Sequence, residues 1–151
     1  MNISFEKGIN ERNSLLICEW SNEKGEEFQK QWMGSKISYP LDLEKIRKLE
    51  NIFSIFYEEE FIGVIQIIKI EENNAHLGRF MLNPLKVGQG FGKNALELFV
   101  HRIFEDENIN SITLTVFDSN ITAKKLYEKL GFKIDKVIEY PNLKYIMKRT
   151  R

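Results

Sequence analysis

The sequence has few of the residues that would signal a disulfide scaffold or a highly charged binding surface. It holds one cysteine in 151 residues, so no internal disulfide can form. Cys18 lies in the apolar run 15–18, which is typical of a buried small hydrophobe, and no neighbouring base would activate its thiol. Lys plus Arg equals Asp plus Glu at 22 each, so the net charge is zero. This balance argues against a broad contact with nucleic acid or a membrane surface.

Long apolar segments and targeting signals are also missing. Residues 1–6 lack the basic start and apolar run of a signal peptide, and no window is apolar enough to span a membrane. We therefore expect a cytoplasmic protein. No cluster of cysteine, histidine or carboxylate residues suggests a metal site, so we expect no metal. The length of 151 residues, without repeats or low-complexity linkers, predicts a single domain over residues 1–151.

The apolar pattern of the first half predicts short helices followed by antiparallel strands. We expect an edge strand at 3–9, helices at 13–21 and 23–33, and a short helix capped by Asp42. Strands at 52–57 and 61–70 are rich in β-branched and aromatic residues, and the acidic turn 58–60 joins them into a hairpin. A turn at 73–74 leads to a strand at 75–82, which ends before Pro84 because proline cannot donate to a sheet ladder.

The second half alternates strands and helices. A helix of about three turns should follow the loop 87–93, then a buried strand at 111–117. Ser119 or Asn120 should cap the next helix and Gly131 should end it, before two strands at 132–138 and 143–148. This order predicts a mixed α/β domain with one crossover near the middle of the sheet.

The loop 87–93 carries three glycines at alternate positions, Gly88, Gly90 and Gly92, between a strand end and a helix start. Glycines let the backbone approach a ligand closely, and free amides at a helix N-terminus form an anion site. A Walker loop needs one more residue between its glycines and a Ser or Thr after the Lys, whereas Asn94 follows Lys93 here. A dinucleotide fold needs a different glycine spacing and an acidic residue about 20 positions on. A glycine-rich turn without a ligand stays open as the alternative.

A third pattern fits the chain. Asn83-Pro84 and the loop, the strand 114–116, and the segment 120–132 with its Leu126-Tyr127 and Gly131-Phe132 pairs together resemble the GNAT superfamily of N-acetyltransferases. The resemblance covers roughly residues 77–133. It implies a central, mostly antiparallel twisted sheet with a splayed pair of parallel strands, at 77–82 and 111–117, and helices on both faces. It also implies acetyl-CoA as the cosubstrate.

The resemblance assigns roles to particular residues. The pantetheine arm should pair with the backbone of Met81 and Leu82, as an added strand does. The pyrophosphate should lie on the amides of the loop, and Asn120 should contact the cofactor besides capping its helix. The expected cofactor-binding residues are Met81, Leu82, Val87, Gly88, Gln89, Gly90, Phe91, Gly92, Lys93 and Asn120. Val87 departs from the Arg or Gln usual at the first loop position, and Lys86 is a candidate to compensate for it.

The resemblance makes Tyr127 the catalytic residue, whose hydroxyl protonates the departing thiolate; a packed core tyrosine is the alternative. The sequence does not assign the general base. His76 is expected at the surface at a strand start, His101 is expected to be solvated, and the acidic turn 58–60 is expected to be a solvated face. Trp20, Phe28, Trp32 and Tyr39 form either an acceptor pocket or part of the core.

Together these features predict transfer of an acetyl group from acetyl-CoA to a primary amine by direct attack. The acceptor is a small molecule or a peptide or protein N-terminus; the sequence does not choose among them, and it leaves open whether a longer acyl chain is transferred. We expect no nucleic-acid or membrane partner, and the last hairpin offers an edge for a homodimer. A non-catalytic module that senses acyl-CoA is the alternative function.

Overall fold

A computed structural model describes all residues, 1–151, and shows a mixed α/β fold. Seven strands form one sheet in the order β1-β2-β3-β4-β5-β7-β6. Along the chain the elements are β1 (Ile3–Lys7), α1 (Glu11–Lys24), α2 (Glu26–Met33), α3 (Leu43–Arg47), β2 (Ile52–Tyr57), β3 (Glu60–Glu71), β4 (Asn74–Leu82), a 3-10 turn (Pro84–Lys86), α4 (Phe91–Phe104), β5 (Ser111–Phe117), α5 (Ile121–Lys129), β6 (Lys133–Ile138) and β7 (Lys144–Thr150).

The sheet is antiparallel except at its centre. The predicted hairpin is confirmed, because β2 pairs antiparallel with β3 around the turn that begins at Glu58. Between β4 and β5 the pairing is parallel and covers Asn74–Leu77 and Ser111–Leu114. This ladder confirms the predicted crossover, since α4 connects two neighbouring parallel strands. The pairs β5–β7 and β6–β7 are again antiparallel.

The chain divides into two compact units, and each buries apolar side chains of its own. The first unit comprises residues 1–67 and 78–92. Its core packs α1, α2 and α3 side chains with those of β2–β4, among them Ile17, Met33, Ile46, Val64 and Met81. Cys18 belongs to this core as predicted, and burial raises the pKa of its thiol.

The second unit comprises residues 68–77 and 93–151. Its fully buried side chains include Leu96 and Phe99 of α4, Ile112 and Leu114 of β5, and Met147 of β7. The strand β6 is the last in the sheet order, so its outer edge is where the expected homodimer contact would form. That contact stays a prediction. None of the helices has the length and apolar character needed to cross a membrane.

Several element boundaries differ from the predicted ones. The two first helices meet at Gly25 rather than before Glu23, because Glu23 and Lys24 are good helix formers and only Gly25, at φ 92°, leaves the helical region. The turn after β3 is at residues 72–73, and Asn74 already belongs to β4. Of the two caps predicted for α5, Ser119 and Asn120, the structure confirms Asn120. The helix α4 begins at Phe91, inside the predicted loop.

Candidate active site

The end of β4 is pressed closely against β3. A Cβ built on Gly63 would overlap the carbonyl oxygen of Met81 and stand 3.0 Å from the Leu82 Cα. The Asn83 amide donates to the Ile62 carbonyl oxygen at 2.7 Å. Only a residue without a side chain allows this approach, so Gly63 fixes where the backbone of Met81 and Leu82 lies.

The loop after β4 turns sharply into α4. The side chain of Asn83 accepts a hydrogen bond from the Leu85 amide and starts the 3-10 turn. Gly88 and Gly90 then take φ of 81° and 88°, values that L-residues with side chains rarely adopt. Because α4 begins at Phe91, the residues Phe91, Gly92 and Lys93 form its first turn rather than loop. This corrects the predicted boundary, and it places the predicted site at a helix N-terminus, where amides lack an intrahelical acceptor.

The side chains around the loop leave the backbone near Gly88 uncovered. A Cβ at Gly88 would meet no atom within 4 Å, and the Val87 side chain is 60% exposed. The Lys86 ammonium group, expected to compensate for Val87, lies 3.3 Å from a Glu60 carboxylate oxygen and 5.4 Å from the centre of the Phe91 ring. Lys86 is therefore already paired with a carboxylate, whereas Lys93 is exposed in the first turn of α4.

These features fit a diphosphate group of a coenzyme. Open space at Gly88, two glycines at positive φ and the start of a 14-residue helix are what a backbone anion site requires. Gln89 folds back, and its side-chain amide donates to the Leu85 carbonyl oxygen at 2.7 Å, which braces the loop. The positive end of the helix dipole adds to the attraction for phosphate.

Asn120 is the N-cap of α5 in the second unit. Its Oδ1 atom accepts a hydrogen bond of 3.2 Å from the Ala123 amide, as an N-cap residue should. The cap uses only the oxygen of the side chain. The Nδ2 group keeps two donors, so the cap and the predicted contact with a cofactor are compatible.

Tyr127 lies on the buried face of α5. Only 8% of its surface is exposed, and its ring centre lies 6.2 Å from that of Phe132. Burial raises the pKa of Tyr127 to about 12. The hydroxyl is therefore a neutral hydrogen-bond donor throughout the physiological pH range.

The structure contradicts the prediction that His76 is a surface residue. It is half-buried in β4, and its Nδ1 atom lies 2.7 Å from the Thr113 hydroxyl oxygen. Burial lowers the pKa of His76. The sequence reasoning missed this cluster because the partner lies 37 positions away. The signal was present in the alternation of polar residues at 74 and 76 and at 111, 113 and 115, two stretches that a parallel pairing brings together.

The other candidate residues have structural partners. Trp20 stacks on Phe61 at 5.8 Å, the Trp32 indole N–H donates to Ser21 at 2.8 Å, and Phe28 packs at the edge of the first unit's core. These contacts favour the core-packing interpretation for the three residues. Tyr39 is exposed, and its hydroxyl donates to the Asn22 carbonyl oxygen. His101 and residues 58–60 are exposed as predicted.

No group of three or more His, Cys, Asp or Glu side chains is arranged to hold a metal ion. The titratable side chains near the centre of the sheet instead form hydrogen bonds with uncharged groups. Arg79, in β4 at φ 46°, donates to the Met33 carbonyl oxygen and to the Gln66 side chain.

Comparison with known proteins agrees with the fold. The family model described as Acetyltransferase (GNAT) family matches residues 14–132. The acetyltransferase PseH of Campylobacter jejuni subsp. jejuni (serotype O:23/36, strain 81-176) is 28% identical over 132 residues, 83% of this chain and 80% of that protein. The spermine/spermidine N(1)-acetyltransferase of Bacillus subtilis (strain 168) is 26% identical over 101 residues, 62% of this chain and 66% of that enzyme.

Solved structures share the whole fold at low sequence identity. The spermidine N-acetyltransferase of Vibrio cholerae, in complex with CoA and spermine, matches with a TM-score of 0.80 and 18% identity over 99% of this chain and 95% of that one. The aminoglycoside acetyltransferase AAC(6')-Ib, in complex with ribostamycin and coenzyme A, matches with a TM-score of 0.77 and 20% identity over 100% of this chain and 94% of that one.

These matches do not favour the alternative of a non-catalytic acyl-CoA sensor, because the named relatives are acetyltransferases. The family model covers more than half of the chain, and its residues include the loop, Asn120 and Tyr127. The chain belongs to the GNAT acetyltransferase family and is an N-acetyltransferase that uses acetyl-CoA.

Proposed function

We propose that this chain transfers the acetyl group to a primary amine of a small molecule by direct attack of the amine on the thioester. The single observation that carries the cofactor site is the loop into α4, where Gly88 and Gly90 take positive φ and space is open at Gly88. Direct attack needs no acylated side chain, and the one cysteine, Cys18, is buried in the core.

The proposed cofactor site has two parts. The pyrophosphate binds the backbone of residues 88–93, where the helix dipole and the Lys93 ammonium group balance its charge. The pantetheine arm pairs with the end of β4. The Met81 carbonyl oxygen lies against Gly63 and the Asn83 amide bonds to Ile62, so the backbone of residues 81 and 83 faces β3. The pairing groups proposed for the arm are therefore the N–H and C=O of Leu82, with Met81 fixing the position of that backbone.

Tyr127 is proposed as a hydrogen-bond donor to the sulfur rather than a full acid. A phenol with a pKa of about 12 is a weaker acid than an ordinary thiol, whose pKa is about 8.5. Complete proton transfer to the thiolate would cost roughly 5 kcal/mol. A hydrogen bond from the neutral hydroxyl still stabilises the charge that develops on sulfur as the C–S bond breaks.

The acceptor class rests on what related proteins bind. The relatives named for spermine and spermidine, and the solved aminoglycoside acetyltransferase, act on small molecules that carry primary amines. The zero net charge of this chain gives no long-range attraction for a polycation, so a local pocket must select the acceptor. A panel of polyamines, amino sugars and aminoglycosides, followed by release of free thiol from acetyl-CoA, tests the class. Release with peptide N-termini and with none of these small molecules would contradict the proposal.

The cofactor site is tested with two glycine variants. Gly88→Ala and Gly8→Ala both place a side chain at positive φ, with φ of 81° and 94°, and neither new Cβ meets an atom within 4 Å. Both should therefore lose comparable stability, about 1 kcal/mol or more. Calorimetry with CoA should show binding to the wild type and to Gly8→Ala, and at least tenfold weaker binding to Gly88→Ala. Equal affinity of the two variants would remove the loop from the site.

A further inference from the structure

A chain of polar side chains runs across β4 and β5 in the second unit. Ser111 donates to the Asn74 side-chain oxygen at 2.7 Å, and the Asn74 amide donates to the Thr113 hydroxyl at 2.9 Å. Thr113 contacts His76 Nδ1 at 2.7 Å, and His76 Nε2 lies 3.3 Å from the Thr115 hydroxyl. The chain therefore leads from buried hydroxyls to an imidazole and ends at an exposed side chain.

The two ring nitrogens of His76 have different surroundings. Nδ1 makes the short contact, and its partner Thr113 is buried at 8% exposure. Nε2 makes the long contact, and its partner Thr115 is exposed. One nitrogen thus contacts a buried hydroxyl, while the other contacts an exposed one. This is the geometry of a base whose ring is oriented by a second group.

No charged group among the contacts of His76 favours the protonated form of its ring. Burial, rather than a neighbouring charge, lowers its pKa, so the imidazole is unprotonated at pH 7. Its contacts on β5 are hydroxyls, which do not titrate. Lys148 of β7 stands opposite Thr113 in the strand register, and on β3 the charges of Lys69 and Glu71 pair with each other at 2.6 Å. No carboxylate is among its contacts to hold a proton on the ring.

The position in the chain relates His76 to the reaction. It lies one residue before Leu77, the last residue of β4 in the parallel ladder, and two before the segment that leads to Met81 and Leu82. In the proposed function that segment carries the pantetheine arm. One strand, β4, therefore carries both His76 and the backbone proposed to bind the cofactor.

We propose that His76 is the general base of the transfer, taking the proton from the attacking amine at Nε2, and that Thr113 and Asn74 position its ring. The inference rests on the proposed function. It requires the tautomer in which Nδ1–H donates to Thr113, whose oxygen has lone pairs for both this hydrogen bond and the one from Asn74.

The proposed step is balanced in atoms and charge. The neutral amine forms a bond from nitrogen to the acetyl carbon, and the C–S bond breaks with its electron pair on sulfur. One N–H proton passes from the nitrogen to His76 Nε2, giving imidazolium, amide and CoA thiolate. The imidazolium then returns its proton, through solvent or directly, to the thiolate, so His76 is neutral again.

The chain contains two histidines, which supplies a matched control. His76→Gln should lower kcat by about 10² or more, with the Kd for CoA unchanged within twofold. It should also remove the fall in kcat at acidic pH, which in the wild type reflects a group with a pKa below the usual histidine value of about 6.5. His101→Gln, at an exposed position on α4, should keep the wild-type kcat and the fall in kcat at acidic pH. Added imidazole should partly restore turnover to His76→Ala. Wild-type turnover in His76→Gln, or an unchanged acidic limb, would overturn the proposal.

The tautomer is tested separately by NMR. In His101→Gln the only imidazole signals come from His76, so a long-range ¹H–¹⁵N spectrum identifies the protonated nitrogen directly. At a pH above the pKa of His76 we expect the proton on Nδ1. In Thr113→Val this tautomer should no longer be preferred, kcat should be lower, and the fall in kcat at acidic pH should shift. A stable Nε2–H tautomer in the wild type would overturn the assignment. Because CoA binding is measured for each variant, failure of the cofactor site itself is distinguished from failure of the base.

Discussion

Burial determines what single residues of this site can do. Tyr127 and Tyr145 both have a raised pKa, but for different reasons. Burial holds Tyr127 neutral, whereas Tyr145 on β7 donates a hydrogen bond of 2.7 Å to Asp118, which favours its protonated form. Because Tyr127 is 8% exposed, solvent competes little for its hydroxyl, which suits a donor to a developing charge.

Replacing Tyr127 by Phe tests this role, because only the hydroxyl is removed. A hydrogen bond to a developing charge contributes about 1.5–3 kcal/mol, so kcat should fall by roughly 10- to 100-fold. Affinity for CoA should stay within twofold, since the backbone of the loop holds the pyrophosphate. Calorimetry and single-turnover kinetics measure the two quantities. Tyr145→Phe provides the control, and unchanged kcat in Tyr127→Phe would assign Tyr127 to packing alone.

The difference between predicted and observed residues follows from the range of the interactions. Tyr127 and Asn120 were identified because their helix carries a local motif and a local cap. The state of His76 depends on Thr113, which is remote in sequence, so the alternation of polar residues in the two stretches is informative only once their parallel pairing is known. Lys86 was a candidate to compensate for Val87, but its ammonium group pairs with Glu60 at the start of β3.

At the scale of elements, strands were predicted better than helix starts. The strands β2 and β5 have the predicted bounds, because β-branched and aromatic residues begin and end with each strand. The start of α4 was predicted too late, since Gly92 is unfavourable inside a helix and masks the first turn. Gly63 shows another limit. From the sequence, a glycine at this position would be expected to weaken its strand. Its presence is explained only by the close approach of β4.

Gly63→Ala should therefore act on β4 rather than on β3 alone. The new methyl group overlaps the Met81 carbonyl, and relief requires that the end of β4 move or that the sheet twist locally, at a cost of about 1–3 kcal/mol. Because that backbone is proposed to pair with pantetheine, kcat/KM for acetyl-CoA should fall by about tenfold or more.

Val64→Ala is the matched control for Gly63→Ala. Val64 is buried next to Gly63, and its truncation costs a similar amount of stability, about 1–3 kcal/mol, by loss of packing and without a clash against β4. Urea unfolding gives the free energies, and initial rates give kcat/KM. If both variants lose stability and kcat/KM in the same proportion, the position of β4 is not the cause.

At the scale of the whole molecule, the fold class was predictable and the arrangement of the sheet was not. The order of strands and helices predicts a mixed α/β domain with one crossover, and the parallel β4–β5 pair confirms it. The placement of β7 between β5 and β6 cannot be derived from local pattern, because strand order in a sheet is set by contacts between residues remote in sequence. That placement depends on which side chains pack together in the second unit.

Cofactor binding should also be measurable as stability of the entire chain, and two helix caps separate binding from folding. Asn120 caps α5 and Asp42 caps α3, each accepting from the amide three residues on, at 3.2 and 2.9 Å. Loss of either cap costs about 1 kcal/mol, so Asn120→Ala and Asp42→Ala should each lower Tm by about 2–4 °C without ligand.

CoA at 100 times the wild-type Kd adds about 2.7 kcal/mol to the free energy of unfolding. Wild type and Asp42→Ala should gain this increment, whereas tenfold weaker binding by Asn120→Ala would leave it only about 1.4 kcal/mol. Differential scanning calorimetry with and without CoA gives all six values, and an equal increment in the two variants would limit Asn120 to its role as a cap.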